Sequence, residues 1–234
     1  MAKLIIVTID GPAGAGKSTT ARRVAERLGY LYIDTGAMYR AVTLAALRNN
    51  VSFDNEHLDD LVHNADIRLV PTAMGQRTFL NGEDVSEAIR HGDVTSNVSA
   101  VSAIPTVRRT LVAKQRAIGQ GGGVVMDGRD IGSVVFPNAE VKIYLVAALE
   151  ERIRRRTAEM QTNGYVLSQE DIRHQIIERD DMDSHRSDSP LVKPRDAVEV
   201  DTTSMSIDAQ VERILEVIAG YHNTYDIISA YGNL

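Results

Sequence analysis

Eight residues near the N-terminus, Gly11-Pro12-Ala13-Gly14-Ala15-Gly16-Lys17-Ser18, have the spacing of a phosphate-binding P-loop. Glycines at 11, 14 and 16 let the backbone wrap an anion, so that amide groups and the N-terminus of a following helix donate to its oxygens. Lys17 adds a mobile positive charge for the β- and γ-phosphates of ATP. Ser18, followed by Thr19, supplies a hydroxyl that can ligate Mg²⁺. A chance glycine-rich turn is the competing explanation. Against it, the loop stands between a β-branched run, Lys3 to Ile9, and a helical pattern, the context that the motif requires.

Arginines supply the second signal. They cluster at Arg108 and Arg109, from Arg152 to Arg156, and through Arg173, Arg179, Arg186 and Arg195, in a chain whose net charge is -6. An acidic chain argues against a nucleic-acid backbone as partner, whereas local arginine clusters suit a small anionic substrate. For any single arginine a solvated helix face is the commoner explanation. Arg152 and Arg156 share one face of a helix, one turn apart. Asp180, Asp181 and Asp183 could form an acidic metal site, but their mixture with Arg179 and Arg186 favours an ion-paired lid. With no cysteine, thiolate nucleophiles and zinc-cysteine sites are excluded, and a reducing compartment is allowed. The histidines lack zinc-helix spacing and no serine nucleophile elbow occurs, so direct in-line transfer between two bound anions is the chemistry left.

The elements that must position these residues alternate. Apolar runs at Lys3–Ile9, Leu31–Ile33, Val124–Met126, Val141–Val146 and Ala197–Val200 read as strands. Between them, helical patterns follow the P-loop (Ala21, Val24, Ala25 and Leu28, capped by Gly29), start near Ala37 (Met38, Ala41, Val42, Ala45), and open at Pro105 (Val107, Leu111, Ile118). Further helices are expected at Leu149–Met160 and from an N-cap at Ser206, with Ile207, Val211, Ile214, Leu215 and Ile218 inward. Such alternation implies an α/β fold with a parallel sheet covered on both faces and ligands at the carboxyl ends of its strands. Residues 51 to 104 interrupt it, with a hairpin of Ile67–Val70 and Thr78–Leu80 around Ala73-Met74-Gly75, and read as an inserted subdomain. The stretch up to Lys193 is polar and charge-rich. The N-terminus lacks the features of a signal peptide, and no apolar run approaches membrane-spanning length.

P-loops also serve switches and motors, so other residues must decide. DTGAMYR at 34–40, GEDVSEAIR at 82–90, DGRDIGSVVFP at 127–137 and RDDMDSHR at 179–186 resemble, in order and spacing, the bacterial cytidylate kinases over nearly the entire chain. The resemblance implies a P-loop kinase core with a five-stranded parallel sheet (1–50, 105–160 and 190–234), an inserted monophosphate-binding subdomain (51–104) and a short lid (161–189). It implies ATP and Mg²⁺, and CMP or dCMP as acceptor. Arg40 and Arg129 would bind the CMP phosphate, joined by Arg186 on lid closure. Thr35, Arg108 and Asp130 would read cytosine, Thr35 standing where relatives often carry serine. Ser99, Arg179 and Asp183 would hold the ribose. Arg152 would lie against adenine, Arg156 near the ATP phosphates, and Asp127 would orient a water on Mg²⁺. The expected catalytic set is Lys17, Arg129, Arg156 and Arg186. A cytoplasmic monomer without nucleic-acid or membrane partners is expected. A kinase for UMP, shikimate or another small anion, or a nucleotide-dependent switch, are the alternatives.

Overall fold

Strands whose residues are apolar on both faces can be buried only inside a parallel sheet covered by helices. The computed structural model, which describes residues 4–72, 75–162 and 168–231, has this architecture. Strands β1 (Ile6–Asp10) and β2 (Leu31–Asp34) are separated by helix α1 (Lys17–Leu28), which ends on Gly29 in the left-handed conformation. Helix α2 (Thr35–Arg48) begins two residues before the expected Ala37, because the Asp34 side chain caps it by accepting from the Ala37 N–H. The insert holds α3 (Asn55–Asn64), the antiparallel strands β3 (Ile67–Thr72), β4 (Gly75–Leu80) and β5 (Glu83–Asp84), and α4 (Gly92–Ser102). The expected hairpin is therefore present; Ala73 and Met74 lie outside the described residues.

Helix α5 (Pro105–Gly119) is followed by β6 (Val124–Asp127), a single wide turn at Ile131–Val135, and β7 (Val141–Val146). Ile118 is not a core residue: it is 37% exposed. The buried stripe of α5 instead runs through Arg108, Val112, Gln115 and Gly119, and Gly119 meets the Phe136 ring. Helix α6 (Leu149–Thr162) leads to a helix that periodicity did not reveal, α7 (Gln169–His185), capped by Ser168. The charge-rich stretch is thus largely helical, held to α6 through Ile172 and Ile176 packed on Ile153, at about 1.5–3 kcal/mol per buried side chain. Strand β8 (Val198–Asp201) and helix α8 (Ile207–Tyr231) follow. The Ser206 hydroxyl accepts from Ala209 N, and the helix continues well past Gly220.

The strand order is β2-β6-β1-β7-β8, with every pairing parallel. One apolar core packs β1, β6 and β7 against α1 and α8. A second joins α2 and the start of α5 to the insert, from Leu58 through Ile104. The insert thus packs on α2, the helix that carries Arg40. The loops after β1, β2 and β6 emerge at the same carboxyl end of the sheet and converge there.

Candidate active site

Gly11 has φ +141°, and a Cβ there would lie 2.1 Å from the Leu145 carbonyl oxygen, so no other residue fits the start of the loop. Gly14 and Gly16 also have left-handed φ, +76° and +93°. Lys17, the first residue of α1, is 6% exposed and donates to the Pro12 carbonyl at 2.7 Å. Burial, and then the neighbouring Arg129, push its pKa well below the usual lysine range. Ser18 Oγ donates to Asp127 Oδ2 at 2.8 Å, and Tyr32 OH donates to Asp127 Oδ1 at 2.9 Å. Burial, reinforced by Asp34, raises the Asp127 pKa to about 7. Among the described residues no group of three or more His, Cys, Asp or Glu could hold a metal. One hydroxyl beside one buried carboxylate nevertheless fits Mg²⁺, which keeps several waters and takes its remaining ligands from phosphate.

Other predicted loop residues are held from behind. Ala13 N–H donates to Asp180 Oδ1 at 3.0 Å, and the Ala15 carbonyl accepts from Thr202 Oγ1 at 3.1 Å and Arg155 at 3.3 Å. Arg152 donates to the Ala13 carbonyl at 3.2 Å and pairs with Asp180. Arg152, Gly11, Pro12 and Ala15 support the loop without lining the cavity in front of it, whereas Ala13, Gly14, Gly16, Lys17, Ser18 and Thr19 do line it.

That cavity, about 940 Å³, runs from the P-loop between α2, α4, the loop after β6 and α7. It brings together Thr35, Arg40, Ser99, Arg108, Asp127, Arg129, Asp130, Arg156, Arg179, Asp183 and Arg186. Five of these, Arg108, Asp130, Arg186, Asp183 and Arg129, form a chain of alternating charge. Arg108, 1% exposed, pairs with Asp130 Oδ2, donates to Ser102 O at 3.1 Å and stands 5.5 Å from the Tyr39 ring centroid. Arg186 lies 3.6 Å from Asp130 Oδ1 and 3.5 Å from Asp183 Oδ1. Asp183 also accepts from Arg129 Nε at 2.8 Å. Burial acts upward on the Asp183 carboxyl, but Arg129, Arg179 and Arg186 together hold it below its ordinary value.

Arg40 and Arg179 differ: among the described residues neither has a carboxylate within ion-pair distance. Arg40 donates only to Thr95 Oγ1 at 2.9 Å and Ile89 O at 3.5 Å, and burial lowers its pKa to about 10. Burial and the nearby charges of Arg129 and Arg40 bring Arg179 down to about 9, and its Nε has no partner. Each has a carboxylate nearby but none in ion-pair contact, Asp34 for Arg40 and Asp183 for Arg179, and two partly desolvated cations so placed suit an anion. Thr35 donates to the Asp127 backbone carbonyl at 2.8 Å, so toward the cavity its hydroxyl is left as an acceptor. Arg156 pairs with Glu159 at 2.8 Å at the cavity wall. Two contributors carry no motif signal, Tyr32 on Asp127 and Gln76, which accepts from Asp34 N at 3.1 Å; Tyr39 under Arg108 and Arg90, 3.5 Å from Asp34, lie within DTGAMYR and GEDVSEAIR but carry no expected role there. Tyr32 was legible only as a strand residue two positions before Asp34, and Gln76 reaches the site only because the hairpin folds back.

A P-loop and an arginine-lined second site in one cavity fit transfer between two anions, and comparison with known proteins specifies which kind. The cytidylate kinase family model matches residues 7–220. The chain belongs to this family. Cytidylate kinases of Anoxybacillus flavithermus and Bacillus subtilis are 53% and 50% identical to it over 219 residues, covering 93% of this chain and 97% and 98% of theirs. Family membership makes it an ATP-dependent nucleoside monophosphate kinase. A gluconokinase structure from Sinorhizobium meliloti, 15% identical with a TM-score of 0.51, covers 98% of this chain and 99% of its own, and shares the fold. No helix among the described residues is long and apolar enough to cross a membrane.

Proposed function

We propose that this cytidylate kinase family member transfers the γ-phosphoryl group of ATP to CMP, and to dCMP, by direct in-line attack of the acceptor phosphate, giving CDP or dCDP and ADP. The observation that carries the reading is the pair of half-buried arginines, Arg40 and Arg179, in the same cavity as the P-loop lysine and without a carboxylate in ion-pair contact among the described residues. An acceptor that is already a dianion needs no protein nucleophile, only neutralisation and alignment.

In this reading the P-loop amides and Lys17 hold the ATP phosphates, and Lys17 acts on charge that develops during transfer. Ser18 and Asp127 would hold Mg²⁺, whose contribution is to neutralise the β- and γ-phosphate oxygens. Arg40 and Arg129 grip the CMP phosphate, with Arg186 added on closure. Thr35, Arg108 and Asp130 read cytosine, and Ser99, Arg179 and Asp183 the ribose. Residues 51–104 form the acceptor-binding subdomain and 161–189 the lid. Arg156 serves the ATP phosphates. Arg152 faces the adenine once it releases Asp180, which couples ATP binding to movement of α7. dCMP is included because its reacting phosphate and its base are those of CMP.

Product analysis tests this. With ATP and Mg²⁺, CMP and dCMP should each yield diphosphate in a one-to-one ratio with ADP, while UMP, AMP and shikimate do so poorly. ATP hydrolysis without any phosphorylated acceptor would instead mark a switch, and saturation by another acceptor but not by CMP would move the substrate assignment.

A further inference from the structure

Asp10, the last residue of β1, is 2% exposed, and both of its carboxylate oxygens are occupied. Oδ1 accepts from Ile131 N at 2.9 Å and Oδ2 from Gly132 N at 2.7 Å. These are the first two residues of the wide turn after β6, whose leading N–H groups find no partner within the turn itself. Asp10 caps that turn from across the sheet, more than a hundred residues away in the chain. Buried and outside the lining of the cavity, it does not face a ligand there.

The two segments it joins are the two halves of the site. Asp10 is bonded directly to Gly11, where the P-loop begins; Ile131 is bonded directly to Asp130, which follows Arg129. The approach is close on both sides, since a Cβ on Gly132 would lie 2.7 Å from Thr8 Oγ1 and 3.3 Å from Asp10 Oδ2. The loop has no slack through which to shift while keeping both bonds.

We infer that Asp10 is a positioning residue that holds Arg129 and Asp130, the groups that grip and read the acceptor, in register with the P-loop that holds the donor. The inference rests on the assignment of Arg129 and Asp130 to the acceptor. Asp10 acts on acceptor affinity and base selectivity through these two residues. A carboxylate is required, because it alone presents two acceptor oxygens in the fork spacing of two successive N–H groups.

Replacing Asp10 by Asn tests this. The amide keeps one acceptor and turns an NH₂ toward the second N–H, leaving a buried donor unpaired. The KM for CMP should rise roughly ten- to a hundredfold, the expected effect of one such loss, with the CMP-over-UMP preference of kcat/KM falling alongside it. The KM for ATP should stay within about twofold, since the P-loop amides are not touched. An unchanged CMP-over-UMP ratio, or an equal rise in both KM values, overturns the inference. Should Asp10→Asn fail to fold, amide exchange in the unaltered protein decides: Ile131 and Gly132 should be protected without nucleotide and gain nothing on adding CMP. Free exchange of both amides until CMP is added would refute the positioning role. If the unaltered protein shows no preference for CMP over UMP, the reading of Asp130 fails, and the exchange experiment still judges the Asp10 tie separately.

Discussion

Asp130 is where stability and selectivity meet, and two substitutions separate them. Arg108 is 1% exposed and Asp130 is its sole carboxylate partner at ion-pair distance among the described residues; it also meets the Ser102 carbonyl and the Tyr39 ring. Asp130→Ala therefore leaves a buried guanidinium without a counter-ion, a change that costs about 3–5 kcal/mol. For a chain of this size each kcal/mol moves the melting temperature by roughly 2–4 °C, so a fall of about 6–20 °C is expected in nucleotide-free protein. Asp130→Asn differs, because the amide oxygen can still accept from Arg108 while its NH₂ becomes a donor. Much of the stability should return. Selectivity should not, since a carboxylate accepts from the cytosine amino group and repels the uracil carbonyl, a mismatch of about 1–3 kcal/mol. The CMP-over-UMP ratio of kcat/KM should accordingly drop by roughly ten- to several hundredfold in the Asn variant, with the KM for ATP little changed. Thermal melts and steady-state kinetics with both acceptors suffice. A ratio that survives in Asp130→Asn would refute base reading, and an Asp130→Ala protein that melts like the unaltered chain would refute the buried pair.

Lys17→Ala should lower kcat for CDP formation by roughly 10²-fold or more while leaving CMP binding intact, because its charge acts on the transferring phosphoryl group; near-normal turnover in folded variant protein would remove Lys17 from the phosphate site. Asp10 has its pKa raised from 3.8 to about 6, first by burial and against the pull of its two N–H donors. The folded chain thus keeps a proton that the unfolded chain has lost, so the Asp10 contribution is most favourable at low pH and declines by about 3 kcal/mol as pH rises to about 6 and beyond. Unfolding measured against Asp10→Asn should show the unaltered chain losing ground as pH rises from about 4 to about 6, and the opposite trend would contradict the burial argument. Hydrogen exchange over residues 168–189 should slow more with a bisubstrate analogue than with ATP alone, and equal protection would count against a closing lid.

Much of the sheet was legible because parallel strands must be apolar on both faces. The runs at β1, β6 and β7 announce themselves without any partner being known. The P-loop was legible for a related reason: Gly11, Gly14 and Gly16 are required by the backbone, and the Leu145 carbonyl leaves no room at the first of them. Of the insert only the hairpin could be read, since α3 and α4 are short and bury their apolar residues against α5 and α2, partners that local periodicity does not identify. Helix α7 was missed because its buried side is not apolar. Beyond Ile172 and Ile176 it presents Arg179 and Asp183 to the cavity, with Arg186 at its C-terminal cap, while Ile177 is 47% exposed. A helix that turns charged side chains toward a ligand site has only a short hydrophobic stripe to detect.

The same fact bears on the two readings of Asp130 that the residues alone left open, base recognition or an ion pair that shapes the pocket. The structure places the carboxylate between Arg108 and Arg186, so the ion pair exists. It does not exclude the other role. A carboxylate has about four lone-pair directions, of which Arg108 takes one and Arg186, at 3.6 Å, makes no full hydrogen bond. Acceptor capacity remains on the oxygen that faces α7. Pairing with a buried arginine also fixes the orientation of that oxygen before any nucleotide arrives, so the ordering cost is met during folding rather than during binding. Fixed acceptors discriminate better than mobile ones, because a carboxylate free to rotate could turn away from a uracil carbonyl and escape the mismatch. If Asp130 reads the base, the ion pair is what fixes it for doing so, and weakening Arg108 alone, for instance by Arg108→Lys, should erode the preference for CMP even with Asp130 in place; a preference kept in Arg108→Lys would count against this coupling.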